Sequence, residues 1–276
     1  MRKILGKIFA TIGFLVVMSL LSGVLIGLWL AKSPVSLPDR MTLTFDFSRP
    51  VLENYSDDPV SRALGDDTIA FSTLVRTLDR AAKDERVMGF IADVSDVGLE
   101  PAQIEEVRAA LKRFNAAGKF SIAYADSLGE MGPANRHYWL ASALQQVSRQ
   151  PLGTVGITGP AASMPFARRA FDRLGIIPDM HQRQEYKGAA DMFTQSTISA
   201  PLREDYQKLL NGMQEQMVTD IAAARQLSGR EVRRLMDKAP LLANEALTGK
   251  LIDHVGYHDE MRDEADQLAP GSEDVD

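Results

Sequence analysis

The stretch VMGFIADV (residues 87–94) is an apolar run of strand length, and the fold follows from what comes after it. Pro101 opens a predicted helix that continues to about Ala117, where Gly118 supplies the end signal. A second apolar run, Phe120–Ala125, predicts the next strand. This strand–helix–strand order is typical of a β-α unit in a parallel sheet.

The same order continues along the chain. Residues 41–47 alternate apolar and polar side chains, as a half-buried strand does, and residues 69–84 carry apolar side chains at helical spacing. Further strands are predicted at residues 146–149, 154–158 and 178–184, and further helices at residues 135–144, 164–174 and 200–226. The polar stretch 49–66 is predicted to be a loop. The alternation predicts an α/β fold with a parallel-rich sheet.

Residues 200–226 form a long amphipathic helix in this prediction. Pro201 stands at its start, and Glu204 and Asp205 lie in its first turn, where carboxylates complement the helix dipole. Its apolar stripe consists of Leu209, Leu210, Met213, Met217, Ile221 and Ala224. We expect the stripe to pack in the core or against another subunit, although its methionines also suit an adaptable binding surface. Ser228 and Glu231 then match the capping box of a following helix.

The composition narrows the classes of function. Hydrophobic residues make up 45% of the 276 residues and charged residues 25%, as in an ordinary globular body. The net charge of −6 leaves no basic stripe for nucleic acid, and the lack of cysteine excludes disulfides, cysteine nucleophiles and thiolate metal sites. Gly256 lies between His254 and His258 and argues against a shared helix face that binds metal. No P-loop, Gly-x-Gly-x-x-Gly or His-Glu-x-x-His motif occurs, and we expect no cofactor.

Residues 8–31 form an uncharged segment of 24 residues, which as a helix spans about 36 Å, enough for a bilayer core. Arg2, Lys3 and Lys7 precede it, and this charge bias favours an inside amino terminus with an exported body. The alternative is a cleaved signal peptide, whose apolar part usually has about 7–15 residues. Trp29 instead suits an interfacial anchor. We predict a basic stub and retained membrane anchor at residues 1–32 and an extended linker at residues 33–40.

Four motifs occur in the order in which one known family has them. They are Tyr138-Trp139-Leu140-Ala141-Ser142, Gly153-Thr154-Val155-Gly156, Glu185-Tyr186-Lys187 and Leu251-Ile252-Asp253. Together they resemble the signal peptide peptidase A (protease IV) family, in particular the amino-terminal repeat of its long, two-repeat form. The ordered set, which covers roughly residues 41–260, carries the resemblance.

The resemblance implies a crotonase-like (ClpP-like) spiral of β-β-α turns for residues 41–262, with a transmembrane helix before it and a long carboxy-terminal helix. The acidic residues 263–276 are predicted to be a disordered tail. The implied function is a membrane-anchored serine endopeptidase that degrades cleaved signal peptides or other membrane-released peptides. The implied location is the inner (cytoplasmic) membrane, with the body on the periplasmic side in a homo-oligomeric ring.

Lys187 is the catalytic residue that the resemblance places in this chain. Members of the family use a Ser-Lys dyad, in which the lysine takes the proton of a serine that attacks a peptide carbonyl. A lysine acts as a base near neutral pH only when burial or neighbouring cations lower its pKa. From the residues alone, a solvated lysine in a loop is the commoner interpretation.

The position of the nucleophile holds no hydroxyl group. Where the short, one-repeat form has Ala-Ser-Gly-Gly-Tyr-Tyr, this chain has Ala134-Asn135-Arg136-His137-Tyr138-Trp139, so Asn135 stands in place of the serine. Where the short form has an oxyanion site, Ser-Pro-Gly-Gly, this chain has Ser95-Asp96-Val97-Gly98. In the two-repeat form the second repeat supplies the serine. We therefore expect the serine to come from a second repeat or a second chain.

Other serines and other functions are open alternatives. Ser127, Ser142, Ser163, Ser196 and Ser199 are candidate nucleophiles, and none is favoured over an external serine. A non-catalytic scaffold or regulator of a membrane complex is the main alternative function. A crotonase-like protein that handles acyl-CoA is the weakest, because the anchor and the missing oxyanion glycines fit it poorly.

Overall fold

The computed structural model describes residues 2–31, 37–53, 68–130 and 132–276. Residues 33–36 of the predicted linker and residues 54–66 of the predicted polar loop lie outside the described residues. The chain divides into two units, Met1–Pro38 and Asp39–Asp276. In the first unit the described residues form one helix, α1 (Arg2–Ala31). The described residues include no helix with the length and apolarity that a membrane span requires. The predicted anchor is therefore not confirmed and stays a prediction.

The second unit is organised by a six-stranded sheet. The strands of the unit are β1 (Met41–Asp46), β2 (Val51–Leu52), β3 (Ile69–Ala70), β4 (Val87–Asp93), β5 (Phe120–Ala125), β6 (Gln146–Arg149), β7 (Thr154–Val155), β8 (Leu241–Leu242), β9 (His254–Val255) and β10 (Glu273–Val275). The main sheet has the order β10-β1-β4-β5-β6-β9, and every neighbouring pair in it is parallel. The predicted α/β class and parallel sheet are thus confirmed.

Helices connect the strands and cover the sheet. They are α2 (Phe71–Ala81), α3 (Pro101–Ala116), α4 (Asn135–Ala141), α5 (Arg168–Leu174), α6 (Asp191–Thr194), α7 (Ala200–Arg225), α8 (Gly229–Lys238), α9 (Ala243–Thr248) and α10 (His258–Leu268), with a 3-10 turn at Gly188–Ala190. Parallel neighbours cannot be joined by a hairpin, so α3 carries the chain from the end of β4 back to the start of β5.

The core lies between this sheet and its helices. Helix α3 buries Ile104, Val107, Leu111 and Phe114, which recur at helical spacing on one face. The Phe114 ring meets the ring of Phe90 from β4 edge to face at 6.2 Å. The apolar run that predicted β4 and the buried face of α3 therefore belong to one shared buried layer.

The predicted strand at residues 178–184 is wrong. The chain from Gly175 to Lys187 is irregular and almost entirely exposed. Gly175 ends α5 in the left-handed conformation, with φ of 68°. No described strand lies alongside this segment, so its backbone forms no β-sheet hydrogen bonds with the described residues.

The predicted disorder of residues 263–276 is also wrong. Residues up to Leu268 belong to α10, which the sequence analysis did not predict, and β10 pairs in parallel with the outer edge of β1. The edge of β1 offers unpaired backbone groups, and the acidic tail meets cations there: Arg49 binds Asp276 and Arg262 binds Asp274. Charge complementarity and an open sheet edge thus order a tail of low hydrophobicity.

Helix α7 is only partly a core helix, unlike the predicted continuous stripe. Its buried residues, apart from Leu202, are Met217, Val218 and Ile221 in the carboxy-terminal half. Leu209 in the other half is 60% exposed, and Leu210 and Met213 are half-buried. The amino-terminal half therefore presents apolar side chains at the surface instead of burying them in the core.

Deleting residues 272–276 should lower the free energy of unfolding by about 1–3 kcal/mol, because several backbone hydrogen bonds of about 0.5–1.5 kcal/mol each are lost. The deletion also removes the Ser272 hydroxyl, which lies 2.9 Å from the hydroxyl of the buried Thr42. Urea unfolding of the full chain and the deletion variant measures the difference. Deleting Asp276 alone, which removes only the surface pair with Arg49, should cost under about 1 kcal/mol. Equal stability of all three proteins would contradict the ordered tail.

Candidate active site

Lys187 lies on the surface, at the end of the irregular segment that follows α5. Its backbone N–H donates to the carbonyl of Gln184 at 3.0 Å, and the 3-10 turn begins at the next residue. Its side chain is exposed and has no hydrogen bond or ion pair with the described residues. Among the described residues, none buries the Lys187 side chain.

The backbone beyond Lys187 is held firmly against α7. Gly188 is buried, and a Cβ atom there would lie 2.6 Å from Leu202, so a side chain does not fit. Asp191 is only 4% exposed, and its carboxylate accepts a 2.7 Å hydrogen bond from the Ser199 hydroxyl. The main chain at Lys187 is thus anchored on one side while its side chain remains free.

The residues before Lys187 expose apolar side chains. Leu174 is 71% and Ile177 is 86% exposed, and Ile176, Met180 and Tyr186 are also open to solvent. Exposed apolar groups that cluster in one segment are typical of contact surfaces. The segment before Lys187 therefore has the exposed apolar side chains that are typical of a contact surface.

Asn135, which the resemblance places at the position of the family's serine, has a structural role in this chain. Its Nδ2 donates to the carbonyl of Gly159 at 2.8 Å, and its Oδ1 accepts from the N–H of Gly159 at 2.9 Å. This pair of bonds fixes the loop after β7 to the start of α4. An amide satisfied at both ends contributes no nucleophile, which agrees with the sequence analysis.

A small cleft of about 280 Å³ is lined by Ala134, next to Asn135 in sequence, and by Ser95 and Asp96 of the sequence compared above with an oxyanion site. His137 Nε2 lies 3.5 Å from a carboxylate oxygen of Asp96, and His137 Nδ1 is buried without a hydrogen-bond partner among the described residues. A carboxylate at this place would repel the negative charge that an oxyanion site has to stabilise. The cleft is therefore unsuited to acyl transfer by this chain alone.

Glu130 and Arg149 form an ion pair beside this cleft, and Glu130 binds the side chain of Ser127, which lines it. Arg149 is fully buried, and its guanidinium binds the Glu130 carboxylate. Glu130 also accepts hydrogen bonds from the Ser127 hydroxyl and from the N–H of Leu128 and Thr154. Burial lowers the pKa of Arg149, and Glu130 partly opposes that effect. This network was not found from the sequence, because an arginine in a short strand carries no local signal of burial.

The other candidate serines have ordinary roles. Ser142 is buried, and its hydroxyl donates to the carbonyl of Trp139 at 2.8 Å. Ser127 and Ser199 are bound to Glu130 and Asp191, while Ser163 and Ser196 are exposed. Lys187 is joined to none of them by a hydrogen bond. Among the described residues no group of acidic and histidine side chains could hold a metal ion.

The profile of peptidase family S49 matches residues 113–270, which is more than half of the chain. The chain belongs to peptidase family S49. The predicted relationship to signal peptide peptidase A is confirmed by two curated relatives. One is Protease 4 of Haemophilus influenzae, 24% identical over 155 residues, and the other is the chloroplastic serine protease SPPA of Arabidopsis thaliana, 22% identical over 182 residues.

This S49 chain matches only a part of those relatives. The alignments cover 56% and 66% of the chain, but 24% and 26% of Protease 4 and of the chloroplastic SPPA. The chain thus spans about a quarter of the length of the curated relatives that it matches. Lys187 and Asn135 both lie inside the matched family segment.

Solved structures give a weaker comparison. An enoyl-CoA hydratase/isomerase family protein from Silicibacter pomeroyi is 15% identical, with 85% of this chain and 81% of that chain covered and a TM-score of 0.40. ThnE from S. clavuligerus is 16% identical, with 82% and 79% covered and a TM-score of 0.39. Scores this low carry no argument about the fold or function of the S49 chain.

Replacing Asn135 with alanine should destabilise the protein by about 1–3 kcal/mol, because the buried Gly159 loses partners for both its N–H and its C=O. Chemical denaturation compares the variant with the parent. Asn211→Ala is the matched control, since Asn211 is exposed on α7 and should change stability by less than about 0.5 kcal/mol. The structural role of Asn135 would be refuted by equal effects of the two substitutions.

Stability should also depend on His137 below neutral pH. Burial lowers the pKa of His137, Asp96 opposes this, and Arg136 adds to it. The unfolded chain, with a histidine pKa of about 6.5, then binds the proton more readily than the folded chain. The contribution of His137 to the free energy of unfolding is fully present above a pH of about 6.5 and is lost as the pH falls towards the folded pKa of His137.

The measurement is the free energy of unfolding between pH 7.5 and pH 5. It should fall more steeply for the parent than for His137→Gln. His181→Gln is the control and should keep the parent's slope, because the His181 side chain is 98% exposed. Parallel curves for the parent and His137→Gln would rule out this linkage.

Proposed function

We propose that this chain is the lysine-bearing part of a membrane-anchored S49 serine endopeptidase that degrades cleaved signal peptides. Lys187 acts as the general base, and a second repeat or chain supplies the nucleophilic serine. The observation that carries the proposal is the contrast between Asn135, locked at the nucleophile position, and Lys187, presented on a firmly held backbone with nothing covering it.

The contacts around Lys187 suit a base that is completed from outside. A lysine that accepts a proton must be shielded from water, and this chain does not shield it. Leu174, Ile176 and Ile177 lie exposed just before it and would lose their contact with water when a partner covers the segment. The partner that covers these side chains would also exclude water from the amine.

The proposed reaction uses the amine of Lys187, a serine from the second chain or repeat, and water. The neutral amine of Lys187 takes the proton from the serine hydroxyl, and the serine oxygen attacks the peptide carbonyl. The resulting ammonium then returns a proton to the leaving amine. Water, deprotonated by the same amine, releases the acyl group from the serine.

The proposed setting is the periplasmic side of the inner membrane, in a homo-oligomeric ring. The apolar sequence of residues 8–31 and the cations before it support an anchor with the body exported. The exposed apolar side chains around Lys187 support assembly. We also propose that the α/β fold of this chain is, more specifically, a crotonase-like spiral.

A non-catalytic scaffold or regulator is the second candidate. It is favoured by the Asp96–His137 contact, which puts a carboxylate where an oxyanion site would stand. Both candidates share the fold and the assembly, and they differ only in whether the amine of Lys187 takes part in cleavage.

Co-production with a serine-bearing S49 module separates the two. Lys187→Ala should lower cleavage of a fluorogenic apolar peptide by about 10²–10⁴-fold, the usual contribution of a general base. Lys187→Arg should be equally impaired, since a guanidinium stays protonated.

Lys208→Ala is the matched control. Lys208 is also an exposed lysine, but it pairs with Glu204 at 2.7 Å and should be dispensable for cleavage. Full activity of the Lys187→Ala pair would exclude the peptidase role of this chain and favour the scaffold.

A further inference from the structure

An open cleft of about 560 Å³ lies between α3 and α7. The turn at residues 142–145, which joins α4 to β6, also lines it. Neither Lys187 nor Asn135 lines the cleft, and Asn135 stands at the opposite end of α4 from this turn. Its apolar lining consists of Ala109, Ala143, Leu144, Ala223 and Ala224. A volume between about 300 and 1,000 Å³ is usual for sites that bind small molecules.

The guanidinium of Arg108 is held in place at this cleft. The side chain is only 11% exposed, and its Nη1 donates hydrogen bonds to the carbonyl of Trp139 and to the hydroxyl of Ser142. Its Nε lies 3.6 Å from the Asp220 carboxylate, and the guanidinium lies 5.9 Å from the centre of the Trp139 ring. Its Nη2 has no hydrogen-bond partner among the described residues. An arginine fixed in this way is preorganised to donate to an anion.

Two further donors line the cleft with Arg108. Lys112 lies one turn later on the same face of α3, and its ammonium has no hydrogen bond or ion pair with the described residues. The Oε1 of Gln145 accepts from the N–H of Ser121 at 3.2 Å, and its Nε2 has no acceptor in the described part of the chain. Together the three side chains offer N–H donors that suit a carboxylate.

The cleft also contains acceptors. Glu105 lies one turn before Arg108 on the same face of α3, and its carboxylate has no hydrogen bond or ion pair within the described ranges of the chain. Gln216 of α7 donates from Nε2 to Asp220 at 3.3 Å, and its Oε1 accepts from none of the described residues. These acceptors suit an ammonium group.

The charges that line the cleft cancel. They are two cations and two carboxylates: Arg108, Lys112, Glu105 and Asp220. The Asp220 carboxylate already accepts from the Nε1 of Trp139 at 2.8 Å. Both carboxylates would repel phosphate or another simple anion. A ligand with no net charge and two separated charges can instead bind the free donors and the free acceptors together.

We propose that this cleft binds a free apolar α-amino acid as its zwitterion. The carboxylate of the ligand accepts hydrogen bonds from Arg108, Lys112 and Gln145. Its ammonium donates to Glu105 and Gln216, and its apolar side chain lies on the alanines of α3 and α7. Residues three apart on a helix, as Glu105 and Arg108 are, have Cβ atoms about 5–6 Å apart, which suits the neighbouring charges of an α-amino acid. The cleft binds the amino acid whether or not the chain takes part in peptide cleavage.

Calorimetric titration of the full chain with L-leucine tests the site. Three analogues should bind at least about tenfold more weakly than L-leucine, because each loses a charge-assisted contact. They are 4-methylpentanoate, which lacks the ammonium, L-leucinamide, which lacks the carboxylate, and D-leucine, which cannot place all three groups at once. No binding of L-leucine at about 10 mM overturns the proposal. So does binding of 4-methylpentanoate or L-leucinamide as tightly as L-leucine.

Substitutions of the charged residues assign the contacts. Glu105→Gln should weaken binding of L-leucine about tenfold but should not weaken binding of 4-methylpentanoate, which has no ammonium to lose. Lys112→Gln should weaken binding of L-leucine to a similar degree but should not weaken binding of L-leucinamide. Glu106→Gln and Lys83→Gln are the matched controls, because both residues are exposed and neither lines the cleft. Equal affinity of Glu105→Gln and Glu106→Gln for L-leucine contradicts the proposal.

A bulky side chain tests the cleft itself. Ala223→Phe should abolish binding of L-leucine and leave the free energy of unfolding almost unchanged, because Ala223 is exposed on α7. Thr219→Phe is the matched control, on the same helix, exposed and outside the cleft, and should keep the affinity of the parent. Self-association of the chain that Ala223→Phe removes, without leucine binding, would make the cleft a contact between copies and would also overturn the proposal.

Discussion

The fully buried guanidinium of Arg149 is the constraint on which the geometry of the site depends. A buried charge has to be paired, and removing one partner of such a pair typically costs about 3–5 kcal/mol. Glu130 supplies the pairing carboxylate and also binds the N–H groups of Leu128 and Thr154. The pair therefore ties the end of β5 to the connection between β6 and β7.

A chain of short contacts carries this arrangement to Asn135. The N–H of Gly156 donates to the carbonyl of Leu128 at 2.6 Å, and the carbonyl of Gly156 accepts from Ala134 at 2.9 Å. Asn135 follows and holds Gly159 through two hydrogen bonds. The position of Asn135 is thus linked by a series of hydrogen bonds to the ion pair of Glu130 and Arg149.

The sequence predicted those parts of the fold whose signal is local. Phe120–Ala125 is apolar enough to be recognised as a strand, and the bounds of α3 follow from Pro101 and Gly118. The strand β10 could not be predicted, because its stability comes from the edge of β1 more than 200 residues earlier. Lys187 was predicted from a resemblance, and the described residues leave its side chain exposed, so they do not test its role as a base.

Gly153 shows how far the buried guanidinium reaches. A Cβ atom at that position would lie 1.3 Å from a nitrogen of Arg149, so the guanidinium occupies the space that any other residue would need. The residues at positions 149 and 153 therefore cannot change independently of each other. Among related sequences, those with an arginine at the end of β6 should have a glycine four residues later. Sequences without that arginine should tolerate a larger residue at the glycine position.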